Sequence, residues 1–240
     1  MSLMSQAGFE FLMRWGHFLA GITWIGILYY FNFIQGAFFA SASAATKAEA
    51  TINLVPRALW WFRFGALVTW LTGFIILLSR GSLGHSIYVS NWGTTILVGA
   101  LFGTLMFLNV WGIIWRKQKI VIASAKQVVE GGEANPEAAP AARRALLASR
   151  TNTVMSVPML FGMAGASHFP WAPAKDSGNL GLFWLLIFAV AAFLEYNAIW
   201  GDKGPTTKFL EKHPDAITAG FVATAICYAI GTALYGAPAV

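Results

Sequence analysis

Charge is scarce in this chain and cysteine nearly absent. Asp, Glu, Lys and Arg make up 11% of 240 residues while hydrophobic residues make up 57%. Too few charges remain to solvate the surface of a soluble domain, so the composition is that of an integral membrane protein. The single cysteine, Cys227, excludes an internal disulfide and the Cys-x-x-Cys-His signature of covalently attached heme. Any heme held by this chain alone is then non-covalent. The first fourteen residues lack the basic region and small-residue cleavage site of a removed signal peptide, so the first apolar span is expected to stay in the mature protein. A net charge of +6 has its first explanation in membrane topology, and nucleic acid is not an expected partner.

What the chain has instead is long apolar runs. The first, WGHFLAGITWIGILYYFNFI from Trp15 to Ile34, carries no charged residue and is long enough to cross a bilayer as a helix. Further runs give an all-α, single membrane domain (1–240) of about six spans, near 15–34, 58–79, 92–115, 151–167, 179–200 and 216–235. Gly36 to Arg57 is too polar to span and is placed as an interfacial segment or loop. Gly99 and Gly103 form a Gly-x-x-x-Gly pair suited to close helix packing. Residues 116–150 are basic and Ala/Glu-rich, broken by Gly131-Gly132 and Asn135-Pro136, and read as a long helical hairpin. Pro158 predicts a kink in the fourth span. Twelve of sixteen Lys and Arg residues fall in the first, third and fifth loops. Retention of positive charge on the cytoplasmic side then puts the 116–150 hairpin inside and both termini outside.

With the spans oriented, the polar residues sort into two groups. His17, His85 and His168 fall toward the outer face. Neutral imidazoles from different helices can ligate heme iron, and imidazole also suits copper or zinc. His17 and His168 are the best pair for a b-type heme; a metal site adds His85. His85 and His168 can equally be read as ordinary residues of a wet interface, and His213 as solvated. In His17 itself, Gly21 one turn on leaves space for a flat group to approach the helix backbone.

The second group lies in the inner third of the spans: Asn32, Arg63, Asn109, Asn152, Glu195 and Asn197. Two readings are open. One is a structural Arg63–Glu195 pair with asparagines joining helices. The other is a polar cavity, edged by Arg57 and Arg150, that admits a small planar anion rich in hydrogen-bond acceptors.

The segments HFLAGITWIGILYYFNFIQ, RALWWFRFGALVTWLTG, FLNVWGIIWRKQK, SRTNTVMSVPMLFGMAGASHFP and LEYNAIWG together resemble the membrane domain of the bacterial membrane-bound urate oxidase (urate hydroxylase) family, from about Phe11 to Trp200. The Arg150-Thr-Asn-Thr run followed by Ser156-x-Pro-Met and His168-Phe-Pro carries most of that likeness. The resemblance implies oxidation of urate to 5-hydroxyisourate, with electrons passed to cytochrome c. Family members typically carry a C-terminal cytochrome c domain that is missing here, so a separate cytochrome c or a larger membrane complex is the expected partner. On this reading Arg63 neutralises the anion, Asn109, Asn152 and Asn197 hydrogen-bond it, and Glu195 is the candidate base. The outer histidines hold a b-type heme or, alternatively, copper, in a bacterial inner membrane. The competing expectation is a non-catalytic accessory subunit of a respiratory or photosynthetic complex, with Gly99-x-x-x-Gly103 and the hairpin as contact surfaces.

Overall fold

Several helices in this chain overshoot their apolar windows. The computed structural model describes residues 3–82, 90–171 and 177–236. Among these there is no strand. The elements are α1 (Gln6–Tyr29), a π-helical turn (Tyr30–Gln35), α2 (Gly36–Ser41), α3 (Ala44–Asn53), α4 (Val55–Ser82) and α5 (Asn91–Asn109). A second π turn (Val110–Ile114), α6 (Trp115–Val129), α7 (Ala138–His168), α8 (Ser177–Ile199), a 3₁₀ turn (Pro205–Leu210) and α9 (His213–Tyr235) follow. Serine side chains cap three of the starts, Ser5, Ser43 and Ser90 accepting from the amides of Gly8, Thr46 and Gly93.

Five segments are long and apolar enough to cross a membrane: Gln6–Ser41, Val55–Gly81, Asn91–Val129, Asn179–Ile199 and His213–Tyr235. The first and third are much longer than expected. Nothing in residues 35–41 or 116–129 stops a helix, and the π turns are passed without a break, so each continues well beyond the hydrocarbon. The 36–57 stretch, expected as a loop or interfacial segment, is helical for most of its length, with α3 packed on α4 and α6.

The expected fourth span, 151–167, lies in α7 and is not one of the five. Thr151, Asn152, Thr153 and Ser156 lower its apolarity, and all four are buried. α7 is the axis of the bundle, contacting α1, α5, α6, α8 and α9. Its polar side chains therefore face protein, where Asn152, Thr153 and Ser156 find partners while Thr151 Oγ1 and Arg150 Nε and Nη1 are buried without one. The helix continues through Pro158.

Small residues set the approach of α7 to its neighbours. A Cβ on Gly162 would lie 2.8 Å from the Gly99 nitrogen, and one on Gly99 would lie 3.0 Å from the Met159 oxygen. The Gly99/Gly103 pair is thus used inside the molecule, against α7. On α9, a Cβ at Gly220 would meet the Val157 side chain and the Val154 oxygen.

Beyond the bundle, α6 and the start of α7 form the expected hairpin. Gly131 turns it at φ +88°, a conformation open to glycine. Ser124 Oγ accepts from the Asn135 amide at 3.0 Å, and Asn135 Oδ1 accepts from the Glu137 amide at 2.9 Å. At this end Arg143 of α7 donates to both carboxylate oxygens of Glu211 at 2.9 and 2.5 Å. At the opposite end, Glu10 near the start of α1 meets Arg80 near the end of α4, and Asn179 of α8 donates to the Leu234 carbonyl of α9. Arg80 also lies over Trp92 at the start of α5, Thr95 Oγ1 accepts from the Trp171 amide, and Gly231 of α9 abuts Trp171, so the N-terminus of α1 and the C-terminus of α9 share one end of the bundle.

Two outcomes are expected. Gly162→Val should destabilise the protein by about 1–3 kcal/mol, because the contact is with backbone that cannot rotate away; detergent thermal unfolding reads it as a lowered Tm. Hydrogen bonds from Arg143, with its charge, hold the Glu211 carboxyl below its ordinary value of 4.5. A depressed native pKa contributes stability above the ordinary carboxylate range and loses it as pH falls through the lower native value. The Tm gap between wild type and Glu211→Gln should therefore be open near neutral pH and close on acidification below about 4.5, remaining under about 1 kcal/mol because the pair is exposed.

Candidate functional site

Asn109 is the last residue of α5 before the π turn and is buried. Its amide nitrogen donates to Asn152 Oδ1 of α7 and to Glu195 Oε2 of α8, both at 3.0 Å. Asn152 in turn donates to the Met106 carbonyl at 3.0 Å. Three helices are thus joined through one amide–carboxylate cluster. Both Asn109 amide hydrogens are spent, while its Oδ1 is buried and without a partner. The cluster ends in an orphaned amide oxygen and a half-buried carboxylate, so it is rich in acceptors and short of donors.

Asn197 is fully buried but stands apart: it donates to its own helix at Phe193, and its Oδ1 is also unpartnered. Asn32 lies in the first π turn and joins α1 to α7, donating to the Leu28 carbonyl and to Ser149 Oγ at 2.8 Å each.

Arg63 does not pair with Glu195, which corrects one of the two readings of the inner group. Its guanidinium carbon sits 3.9 Å over the Trp115 ring, 4.9 Å from Phe64 and 5.6 Å from Trp111. An aromatic cage takes the place of a carboxylate partner. The Arg63 carbonyl accepts from Trp111 Nε1 at 3.2 Å, so the arginine sits at the depth of the Asn109 turn. No ion pair to Arg63 occurs among the described residues.

The histidines separate. His17 lines a cavity of about 560 Å³ between α1, α4, α5 and α7, a size ordinary for a small-molecule or cofactor site. His168 does not line it; it is exposed at the end of α7. His85 lies outside the described residues. His213 rests against Phe33, with ring centroids 5.8 Å apart. Among the described residues no three His, Cys, Asp or Glu side chains gather as a metal-binding group.

The chemistry of the sequence showed which polar residues to examine but not how they divide. Asn109, Asn152 and Glu195 meet; Arg63 and Asn197 do not join them. The two π turns, which often mark functional positions, left no signal in the sequence. Nor did Thr72, which hydrogen-bonds His17 from another helix.

An all-helical chain with several membrane-length segments around a buried amide–carboxylate cluster is a multi-pass membrane protein with a polar interior. The sequence model of the urate oxidase N-terminal family matches residues 82–225, more than half of the chain, and the chain belongs to that family. The matched stretch contains Asn109, Asn152, Glu195, Asn197 and His168, whereas His17 and Arg63 precede it. No curated protein and no solved structure matches the chain.

If the cluster joins α5, α7 and α8 as its geometry indicates, Asn109→Leu removes the donor to both Asn152 and Glu195. Leaving those buried acceptors unpaired should cost about 1–3 kcal/mol. Chemical or thermal unfolding in detergent measures it, and Asn109→Asp should not restore the lost stability because it adds another acceptor.

Proposed function

We propose that the protein oxidises urate or a similar small anion within the membrane and passes the electrons to a separate cytochrome c. The observation that carries this reading is the donor-poor cluster of Asn109, Asn152 and Glu195, inside the stretch that belongs to the urate oxidase N-terminal family. Urate is a flat heterocycle edged by ring N–H groups. An orphaned amide oxygen and a carboxylate are the partners such groups require.

Conversion of urate to 5-hydroxyisourate adds one water oxygen and releases two protons and two electrons. Glu195 takes a proton as the ring is oxidised, and Asn109, with Asn152 holding its amide in place, orients the ring. Asn197 offers a further unpaired acceptor at the same end of α8. Arg63, with no carboxylate partner among the described residues, offsets the anion's charge from the same depth. The two electrons leave singly, one to each of two cytochrome c hemes.

The reading includes a topology. α7 serves as the sixth span, its 31 residues covering roughly 46 Å at helical rise. Six spans place both termini outside a bacterial inner membrane and the basic hairpin in the cytoplasm, as the distribution of Lys and Arg requires. A redox group is expected at His17, at the outer end.

Glu195→Gln tests the base. Urate-dependent reduction of added cytochrome c by the purified protein should fall on the order of 10²–10⁴-fold with the Tm little changed, since the amide still accepts from Asn109. Wild-type protein that reduces no cytochrome c with urate would refute the reading.

A further inference from the structure

The outer cavity has one imidazole, and its hydrogen bonding decides what that imidazole can do. Thr72 Oγ1 lies 3.2 Å from His17 Nδ1. The same hydroxyl donates to the Val68 carbonyl at 2.6 Å, with the Thr69 carbonyl at 3.1 Å. A hydroxyl has one hydrogen, and here the carbonyls of its own helix take it. With its hydrogen on the closer carbonyl it accepts from His17, the arrangement in which Nδ1 carries the proton and Nε2 keeps a lone pair. Gly73 allows the ring to lie against α4: a Cβ there would stand 3.0 Å from His17 Cε1. An imidazole held by an Nδ1–H bond with Nε2 unprotonated is arranged as a metal ligand.

What metal it could hold follows from the company it keeps. A bare copper or zinc ion needs three or four protein ligands. The described residues offer no such group. A metalloporphyrin brings four nitrogens of its own and needs one axial ligand from the protein. The cavity walls suit a flat macrocycle. Trp70 is stacked between Phe74 and Phe107, with interplanar angles of 4° and 15°, and is pinned by its Nε1 donating to Thr104 at 3.1 Å. Gly21 and Gly103 keep the facing helices low, Arg14 lies in the lining with its guanidinium 3.4 Å from the Glu10 carboxylate, and the mouth residues Phe18 and Ile22 are 67% and 72% exposed.

We propose that His17 Nε2 is the single protein ligand of a non-covalent iron porphyrin in this cavity, with Thr72 as the positioning residue that fixes its tautomer. The inference rests on the redox reading above and replaces the expected His17/His168 pair with one histidine. The bound group would supply one-electron chemistry; His17 would hold it, and the apolar walls, Trp70 and Phe74 among them, would exclude water.

The test is optical and needs no urate. Full-length protein, purified in detergent and titrated with hemin, should take up one equivalent with a Soret band, and the reduced form should bind carbon monoxide at the open position. His17→Gly should lose the band and regain it with added imidazole, which separates a lost ligand from a lost fold. His168→Ala and His85→Ala should leave the spectrum unchanged. Thr72→Val should keep the band but shift the reduction midpoint, and Thr72→Ser should restore it. Equal hemin uptake by wild type and His17→Gly, loss of the band in His168→Ala or His85→Ala, or a reduced form that does not bind carbon monoxide would overturn the single-ligand site. A Thr72→Val midpoint equal to wild type would overturn the positioning role. A heme spectrum without urate-dependent reduction would retain this site and remove urate as the substrate; urate turnover in a protein that takes up no hemin would do the reverse.

Discussion

The fold depends on keeping a polar helix dry. α7 carries Arg150, Thr151, Asn152, Thr153 and Ser156 in succession, all buried. None of these groups can face hydrocarbon without a partner. The remaining helices are arranged around that requirement. Asn152 is met by Asn109 and the Met106 carbonyl on α5, Ser149 by Asn32, and Ser156 by Tyr29 at 2.8 Å on α1. Close approach of α5 and α7 at Gly99 and Gly162 accompanies the bonds of Asn152 to α5, and Gly220 seats α9 on the other side. Polar contacts and glycine contacts together make one device that holds α7 among its neighbours.

This device explains which parts of the chain were legible in its sequence. α1, α4, α5, α8 and α9 face lipid on one side, and lipid demands continuous apolarity, which a reader sees directly. α7 faces protein over most of its length, with Leu146 and Leu160 left exposed, and protein tolerates polar groups that pair. Its 151–167 stretch still reads as a span, although Thr151, Asn152, Thr153 and Ser156 hold its hydropathy below that of the five most apolar segments. The ends of α1 and α5 were short in the sequence reading for a related reason. Hydropathy falls where a helix leaves the hydrocarbon, but the helix itself ends only at a breaker, and none occurs before Ala42 or Gly131.

The polar residues were legible as a set and not as a geometry. Spacing along a helix assigns a face, whereas pairing depends on which faces meet. Arg63 illustrates the difference. A cation and a carboxylate at similar depth suggest a pair, yet Trp115 and Trp111 stand beside Arg63 and give it a cation–π cage. The aromatic partners come from the helix that continues past Asn109, where the π turn at Val110–Ile114 shifts the register of every residue beyond it. A π turn adds one residue to a turn, so face assignments made with a 3.6-residue period fail from that point on. The turn at Tyr30–Gln35 does the same around Asn32.

Those two turns also tie the inner cluster to the outer cavity. α1 carries His17 before its π turn and Asn32 within it; α5 carries Gly103 and Thr104 at the cavity and Asn109 at the cluster. Trp70, stacked on Phe107 and bonded to Thr104, fills the level between them. A redox centre at His17 and a substrate at Asn109 would thus be separated by an aromatic layer rather than by solvent. On the proposed reading, that layer would keep a water-requiring oxidation and a water-excluding electron acceptor apart while leaving them on the same two helices. The separation accounts for a feature otherwise unexplained, that one small bundle holds an almost wholly apolar cavity and a donor-poor polar cluster at different depths along α5.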